Sequence, residues 1–206
     1  QALYCKAIAL DETDVYAYNN LATTLPVNGS IRLENGKTMT QQALYCKAIA
    51  LDETYPAAYR NLANSLPANG SIQLENGKTM TQQALYCKAI TVDETFTLAY
   101  EELADSLPVN GSIRLENGKT VTEPELYCKV IALDETNVHA YEKLANSLPV
   151  NGSIRLENGK TMTKQALYCK IIALDDTRAF AYRNLADSLP ANGSIRLENG
   201  KTMTKQ

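Results

Sequence analysis

A chain of 206 residues with 20 basic and 23 acidic side chains carries a net charge of −3, which offers none of the basic footprint that nucleic-acid binding needs. Its apolar stretches fall short of the roughly 18 residues that a membrane-spanning helix requires, and no charged-then-apolar leader opens it. Neither nucleic acid nor a membrane is therefore an expected partner.

The first segment, QALYCKAIAL, returns as QQALYCKAIAL over 41–51. Leu44, Tyr45, Ala48, Ile49 and Leu51 fall at helical spacings, so the segment predicts an amphipathic helix. The fourth copy, TVTEPELYCKV, fixes where it starts. Pro124 fits a first helical turn but not a position whose N–H must bond back, which makes Thr122 the N-cap and Glu125 its capping-box partner. By repetition Thr40, Thr81 and Thr163 are N-caps too.

Asp11, Glu12 and Thr13 end the first helix, and VYAYNNLATTL over 15–25 predicts the next, with Tyr18, Leu21, Ala22 and Leu25 on one face. Pro26 stops it, as do Pro67, Pro108, Pro149 and Pro190 in the other copies. The connection between the two helices is so short that they are expected to run antiparallel. VNGSIRLENGKTM follows and alternates in the manner of strands around an Asn35-Gly36 turn. That pattern predicts a short hairpin docked through Ile31 and Leu33, with Glu34 opposite Lys37 as a weak exposed ion pair.

Cys5, Cys46, Cys87, Cys128 and Cys169 mark a period of 41 residues with no insertion. A fixed period of this size is the signature of a solenoid, one array of five units rather than separate domains. It begins in mid-repeat with a second helix and ends after the last hairpin. Opening at Gln1 without a methionine, the chain reads as a piece of a longer protein. Equivalent residues on stacked helices lie roughly 8–10 Å apart, beyond the about 7 Å between Cα atoms that a disulfide spans. No second ligand stands near any cysteine to build a zinc half-site. The cysteines are read as packing residues, and their odd number points to a reducing compartment, the cytoplasm.

Helix pairs with these marks resemble the tetratricopeptide repeat (TPR). The marks are the early aromatic of the first helix (Tyr18, Tyr59, Tyr100, Tyr141, Tyr182), the Leu-Ala after it (Leu21-Ala22 and copies), and Tyr-x-x-Ala in the second helix (Tyr45 and Ala48). The family's usual unit is shorter; the extra residues here form the hairpin between the two helices. Glu53 stands where the family has proline, and Gln41, Gln82, Glu123 or Lys164 where it has a small residue. The closer likeness is to a long-unit TPR-like class with nearly identical repeats, which implies a bacterial source. The resemblance also implies a mainly α, right-handed α-solenoid and a non-enzymatic scaffold that holds a protein or peptide in its concave groove.

Differences between copies concentrate on the first helix. They run through Tyr16, Ala57, Leu98, His139 and Phe180; through Asn19, Arg60, Glu101, Glu142 and Arg183; and through Thr23, Asn64, Asp105, Asn146 and Asp187. Within a unit these stand at i, i+3 and i+7, one face of the helix. A binding stripe would look like this. So would neutral drift, since surface changes usually cost under about 0.5 kcal/mol, but the exposed LENGKT of the hairpin is as free to drift and has not changed in any copy. TPR domains that grip a C-terminal carboxylate use a basic and amide cluster; Arg60 and Asn64 suit it, while Glu101, Glu102 and Asp105 oppose it. The only histidine, His139, has no nucleophile or carboxylate constellation in the sequence around it, and no catalytic, cofactor or metal site is expected. Asn28-Gly29-Ser30 matches a glycosylation sequon, which turn chemistry explains equally well.

Two other roles follow from the repeat. Exposed end faces predict head-to-tail stacking of copies, with Leu3 and Ile8 at the N-terminal face and Gln206 in the register of Gln1. An array without any present partner is the third reading.

Overall fold

Threonine side chains start every second helix after the first, as the sequence predicts. The computed structural model describes residues 1–205, where Thr40 Oγ1 accepts from the Ala43 N–H and Thr81 and Thr163 repeat the contact. At Thr122 the full capping box with Glu125 is present. In chain order the elements are α1 (Ala2–Leu10), α2 (Val15–Thr23), β1 (Ser30–Arg32), β2 (Thr38–Thr40), α3 (Gln41–Leu51), α4 (Pro56–Asn64), β3 (Ser71–Gln73), β4 (Thr79–Thr81), α5 (Gln82–Val92) and α6 (Thr97–Asp105). They continue with β5 (Ser112–Arg114), β6 (Thr120–Thr122), α7 (Glu123–Leu133), α8 (Val138–Ser147), β7 (Ser153–Arg155), β8 (Thr161–Thr163), α9 (Lys164–Leu174), α10 (Ala179–Ser188), β9 (Ser194–Arg196) and β10 (Thr202–Thr204). Gln206, invoked for end-to-end register, lies outside the described residues.

Two compact units result. The first joins Gln1–Ser106 with Leu115–Gly118, and the second joins Leu107–Arg114 with the residues from Lys119 onward. Inside the first, α1 to α6 pack each on the next; inside the second, α7 to α10 do the same. Leu21, Ala22, Leu44 and Ala48 are almost completely buried at these seams, as are Leu62, Ala63, Leu85, Ala89, Leu144 and Ala145. Each buried leucine is worth about 1.5–3 kcal/mol, and alanine at every copy of Ala22 lets helix backbones approach.

Helix direction is fixed by a pair of glutamines. Gln41 Nε2 donates to the Ala22 and Leu25 carbonyls at 3.2 and 2.9 Å, and Gln42 Nε2 donates to the Ser65 carbonyl at 3.2 Å. The start of α3 therefore lies beside the ends of both α2 and α4, which makes these packed neighbours antiparallel. This explains why the usual small residue is absent: the side chain supplies a donor to the Leu25 carbonyl at the helix end and a second one to the Ala22 carbonyl. Gln82 repeats the clamp, and Lys164 and Lys205 perform it with ammonium groups that also suit the negative end of a helix. Glu123, which cannot donate, accepts instead from the Asn110 N–H at 2.9 Å.

The first helices end earlier than expected, α2 at Thr23 rather than Leu25. Leu25 still donates to the Ala22 carbonyl at 3.1 Å, a tighter i→i−3 turn, before Pro26 forbids continuation. A turn then runs from Pro26 to Gly29, closed by the Gly29 N–H on the Pro26 carbonyl at 2.8 Å, with Asn28 at φ 62°. A Cβ on Gly29 would stand 2.8 Å from Pro26 atoms, which accounts for Asn-Gly at this place.

Each hairpin is a two-stranded sheet of its own. Ile31 pairs with Met39 and Arg32 with Thr38, which makes Leu33 the partner of Lys37 through an N–H···O bond of 2.9 Å. The expected Glu34–Lys37 pair is thus corrected. The loop has three residues, Glu34, Asn35 and Gly36 at φ 82°, rather than two, and Glu34 inside it turns to Lys6 of α1 at 3.3 Å. Lys88–Glu116 at 3.8 Å and Lys129–Glu157 at 3.7 Å repeat this link between a second helix and the following hairpin. Docking also differs: Leu33 and Met39 are buried and Ile31 only half so.

Candidate functional site on the first helices

In the first unit the variable positions form one connected polar network. Asn19, expected to face outward, is buried; its Nδ2 reaches Asn20 Oδ1 at 3.1 Å and Tyr55 Oη at 3.4 Å, and its Oδ1 accepts from Asn61 Nδ2 at 3.0 Å. Arg60 Nη1 continues to Asn61 Oδ1 at 3.4 Å, while Nη2 forms a close ion pair with Glu102. Glu102 also accepts from Asn64 Nδ2 at 3.1 Å, and Asn64 Oδ1 takes the Tyr86 hydroxyl. Burial, then the Glu102 carboxylate, pushes the Tyr86 phenol up to about 12, with Arg60 opposing.

An apolar rim runs beside this network. Tyr16 is 65% exposed and stands edge-on to Tyr55, ring centroids 5.2 Å apart, and Leu98 is 46% exposed. Ala57 and Glu101 are half-buried, and Thr23 and Asp105 are exposed.

The second unit uses the same framework differently. His139 lies edge-on to Tyr127 at 6.3 Å, consistent with a packing role. Glu142 and Phe180 are half-buried; Asn146, Arg183 and Asp187 are exposed. The Tyr168 hydroxyl donates to Asn146 Oδ1 at 2.8 Å. Around this pair a cleft of about 250 Å³ opens, lined among others by Lys164, Asn184 and Asp187. Burial raises the Tyr168 phenol, and a hydrogen bond from Asn184 partly opposes that rise.

Several of these residues escaped the sequence reading. Asn20, Asn61, Lys143 and Asn184 occupy one further variable position at i+4, whose variation between copies would have revealed it; Glu102, at the same position, entered the sequence reading only as an acidic residue opposing a carboxylate clamp. Tyr86 and Tyr168 do not vary and left no such signal. Tyr55 precedes its helix and lay outside a stripe drawn by helical spacing.

On the hairpin side of the first unit, a cleft of about 340 Å³ is lined by Thr38, Met39, Cys46, Ile72 and Leu74, residues of the near-constant framework. All five cysteines are buried and free. Burial, with the nearby hairpin glutamates Glu75, Glu116 and Glu157, pushes the Cys46, Cys87 and Cys128 thiols up to about 11. Such thiols stay protonated and unreactive at neutral pH, so what the first-helix face offers chemically is hydrogen bonding, charge and an apolar rim.

The tetratricopeptide repeat family model matches residues 3–43, the span of α1, α2 and the first hairpin. Among solved structures, the chain is similar to YrrB, described as a TPR protein with an unusual peptide-binding site, at 20% identity and a TM-score of 0.55 over 90% of this chain and 81% of that one. At this identity the likeness is one of fold. No curated protein matches the chain. The chain is a mainly helical repeat protein whose fold is similar to that of a TPR protein.

Proposed function

We propose that the chain is a non-enzymatic scaffold whose first-helix face binds a peptide or a segment of another protein. The observation that carries this reading is the concentration of differences between copies on that face, at Tyr16, Arg60, Leu98, Asn146, Arg183 and Asp187, while the equally exposed hairpin loops stay constant. The peptide-binding site ascribed to YrrB supports it, and five free buried thiols support a reducing compartment. The test is a peptide-library screen followed by crosslinking of the best ligand. Crosslinks should fall on the first helices, and the paired change Tyr16→Ser and Leu98→Ser should weaken ligands that carry apolar residues. Crosslinks confined to the hairpins would refute the reading.

One observation favours a second reading, association of two copies through their end faces. Leu3 is 85% and Leu10 77% exposed, whereas Leu44, Leu85 and Leu167, the internal copies of Leu3, are fully buried. Ile8 is 1% exposed and takes no part, contrary to the sequence expectation. Light scattering over a concentration series should show growth for the 206-residue chain and a monomer for Leu3→Asp; a monomer at every concentration would exclude it.

A further inference from the structure

The hairpins of the first unit leave a groove that the first-helix face does not use. Its larger part, a cleft of about 340 Å³, is walled by β2 on one side and β3 on the other, with Ala43 and Cys46 of α3 at its floor. β1 and β4 pair with the far sides of these two strands, and the two hairpins are separate sheets. The edges that face the cleft are therefore open. Which groups they present follows from the register: Leu33 donates to the Lys37 carbonyl and Gln41 to the Gly29 carbonyl, and bonded and non-bonded pairs alternate along an antiparallel ladder. Thr38 and Thr40, opposite Arg32 and Ser30, thus turn their N–H groups outward. By the equivalent bonds of Leu74 and Gln82, the N–H and C=O of Gln73 on β3 turn outward too. None of these groups has a partner among the described residues.

A second cleft of about 250 Å³ adjoins the first at Cys46, Leu74 and Glu75 and continues along α3 to Ile49 and Glu53. The 11 residues of α3 make a helix about 16 Å long, a span that roughly five extended residues cover. This end of the groove is acidic. Lys6, Lys88 and Lys129 hold the loop glutamate of the following hairpin, Glu34, Glu116 and Glu157, whereas Glu75 forms no ion pair among the described residues. Gln73, two residues before it, stands where the other four hairpins carry Arg32, Arg114, Arg155 and Arg196, and its amide turns back to the Gly77 carbonyl at 3.1 Å. The one change of charge among the hairpins thus removes a cation from beside Glu75. Against Lys37 on the opposite wall the groove sets two carboxylates, Glu53 and Glu75.

We propose that this groove takes an extended segment of another protein, added as a strand to the open edge of β2 and walled by β3, with apolar side chains on Cys46 and Leu74 and an arginine or lysine at the end where Glu75 and Glu53 lie. Main-chain bonds to an open edge supply attachment, and the side chains that alternate toward the floor supply selection. Antiparallel pairing with β2 puts the basic residue last, because β2 runs toward the start of α3 and the glutamates lie toward its other end. The site is separate from the first-helix face, and neither reading depends on the other.

The test adds the acetylated peptide amide Val-Thr-Val-Thr-Arg to the intact chain and follows the backbone N–H resonances by NMR. The expected result is a saturable shift of Thr38, Thr40 and Gln73, lost when the peptide is N-methylated on alternate residues in one of the two frames, the one that faces β2. Replacing its arginine by glutamate should weaken binding roughly tenfold or more, as should Glu75→Gln with the original peptide, the scale of one charged hydrogen bond. Thr38→Pro should abolish binding and leave the hairpin folded, since an outward N–H on an edge is where a strand admits proline. Gln73→Arg, which restores the residue of the other hairpins, should weaken binding as well. No saturation, an unaltered response in both Thr38→Pro and Gln73→Arg, or undiminished binding of the peptide N-methylated in either frame would overturn the proposal. So would self-association that survives Leu3→Asp and is lost in Thr38→Pro, which makes a second copy the occupant. Shifts confined to the first helices would overturn it while the scaffold reading stands. Shifts in this groove, with no library peptide crosslinked to the first helices, would support it and sink the scaffold reading alone.

Discussion

Asn64 with Tyr86 and Asn146 with Tyr168 are the same pair from the same two repeat positions, joined by the same hydroxyl-to-amide bond. Around the first pair, Arg60 and Glu102 draw the amide into an internal network; around the second, Glu142 and Asn184 leave a cleft. The difference teaches that a repeat framework supplies a hydrogen-bonding group in every copy, and one neighbouring side chain decides whether that group is consumed or offered. On the proposed reading, function is set where copies diverge, while stability is set where they agree.

If stability does reside in the shared framework, equivalent truncations should cost the same in both units. Leu62→Ala and Leu144→Ala, both at fully buried positions, should each lose about 3 kcal/mol in urea unfolding. Clearly unequal losses would break the comparison.

The buried thiols provide a second check through pH. Their folded pKa values lie above those of the unfolded chain, so their contribution is complete below the unfolded value near 9 and is lost as pH rises toward about 11. The unfolding midpoint should stay level to about pH 8.5 and then fall, by on the order of 2 kcal/mol per thiol. Cys87→Ala should flatten part of that slope, and an unchanged slope would show that the thiols are not its source.

Smaller effects are expected from the clamps. Gln82→Ala leaves the Leu66 carbonyl without its donor, the Ala63 carbonyl keeping the Leu66 N–H, and should cost about 1–2 kcal/mol, whereas Gln82→Lys, the residue found at 164, should recover most of it. The smallest effect should come from the feature that distinguishes the two sites. Arg60 and Glu102 keep 25% and 31% of their side-chain surface exposed, so Glu102→Gln should change stability by less than about 1 kcal/mol. A larger loss would make the ion pair structural.

Much of the fold was legible because repetition multiplies weak signals. One Pro124 located the start of every second helix, since a missing N–H is tolerated only in a first turn. The hairpin was legible in position but not in register: Asn-Gly suits two-residue and three-residue loops alike, and only the Leu33–Lys37 bond distinguishes them. The candidate face was legible through variation at Arg60, Asn146 and Asp187. Variation could not show that Asn19 turns inward, because an asparagine faces solvent or a buried partner according to what the neighbouring helix presents.

By itself, the sequence determined the period, which self-comparison shows, and the threonine caps, the proline stops and the apolar seams, which depend on residues within a few positions of one another. Only the tertiary structure decided which polar side chains satisfy each other. Gln41 reaches the end of α2, Glu34 leaves Lys37 for Lys6, and Arg60 finds Glu102 across a repeat. These pairings depend on distances between helices that no local pattern encodes. A hydrogen bond extends only about 3 Å, so which groups remain open to a ligand is known only once the helices are packed.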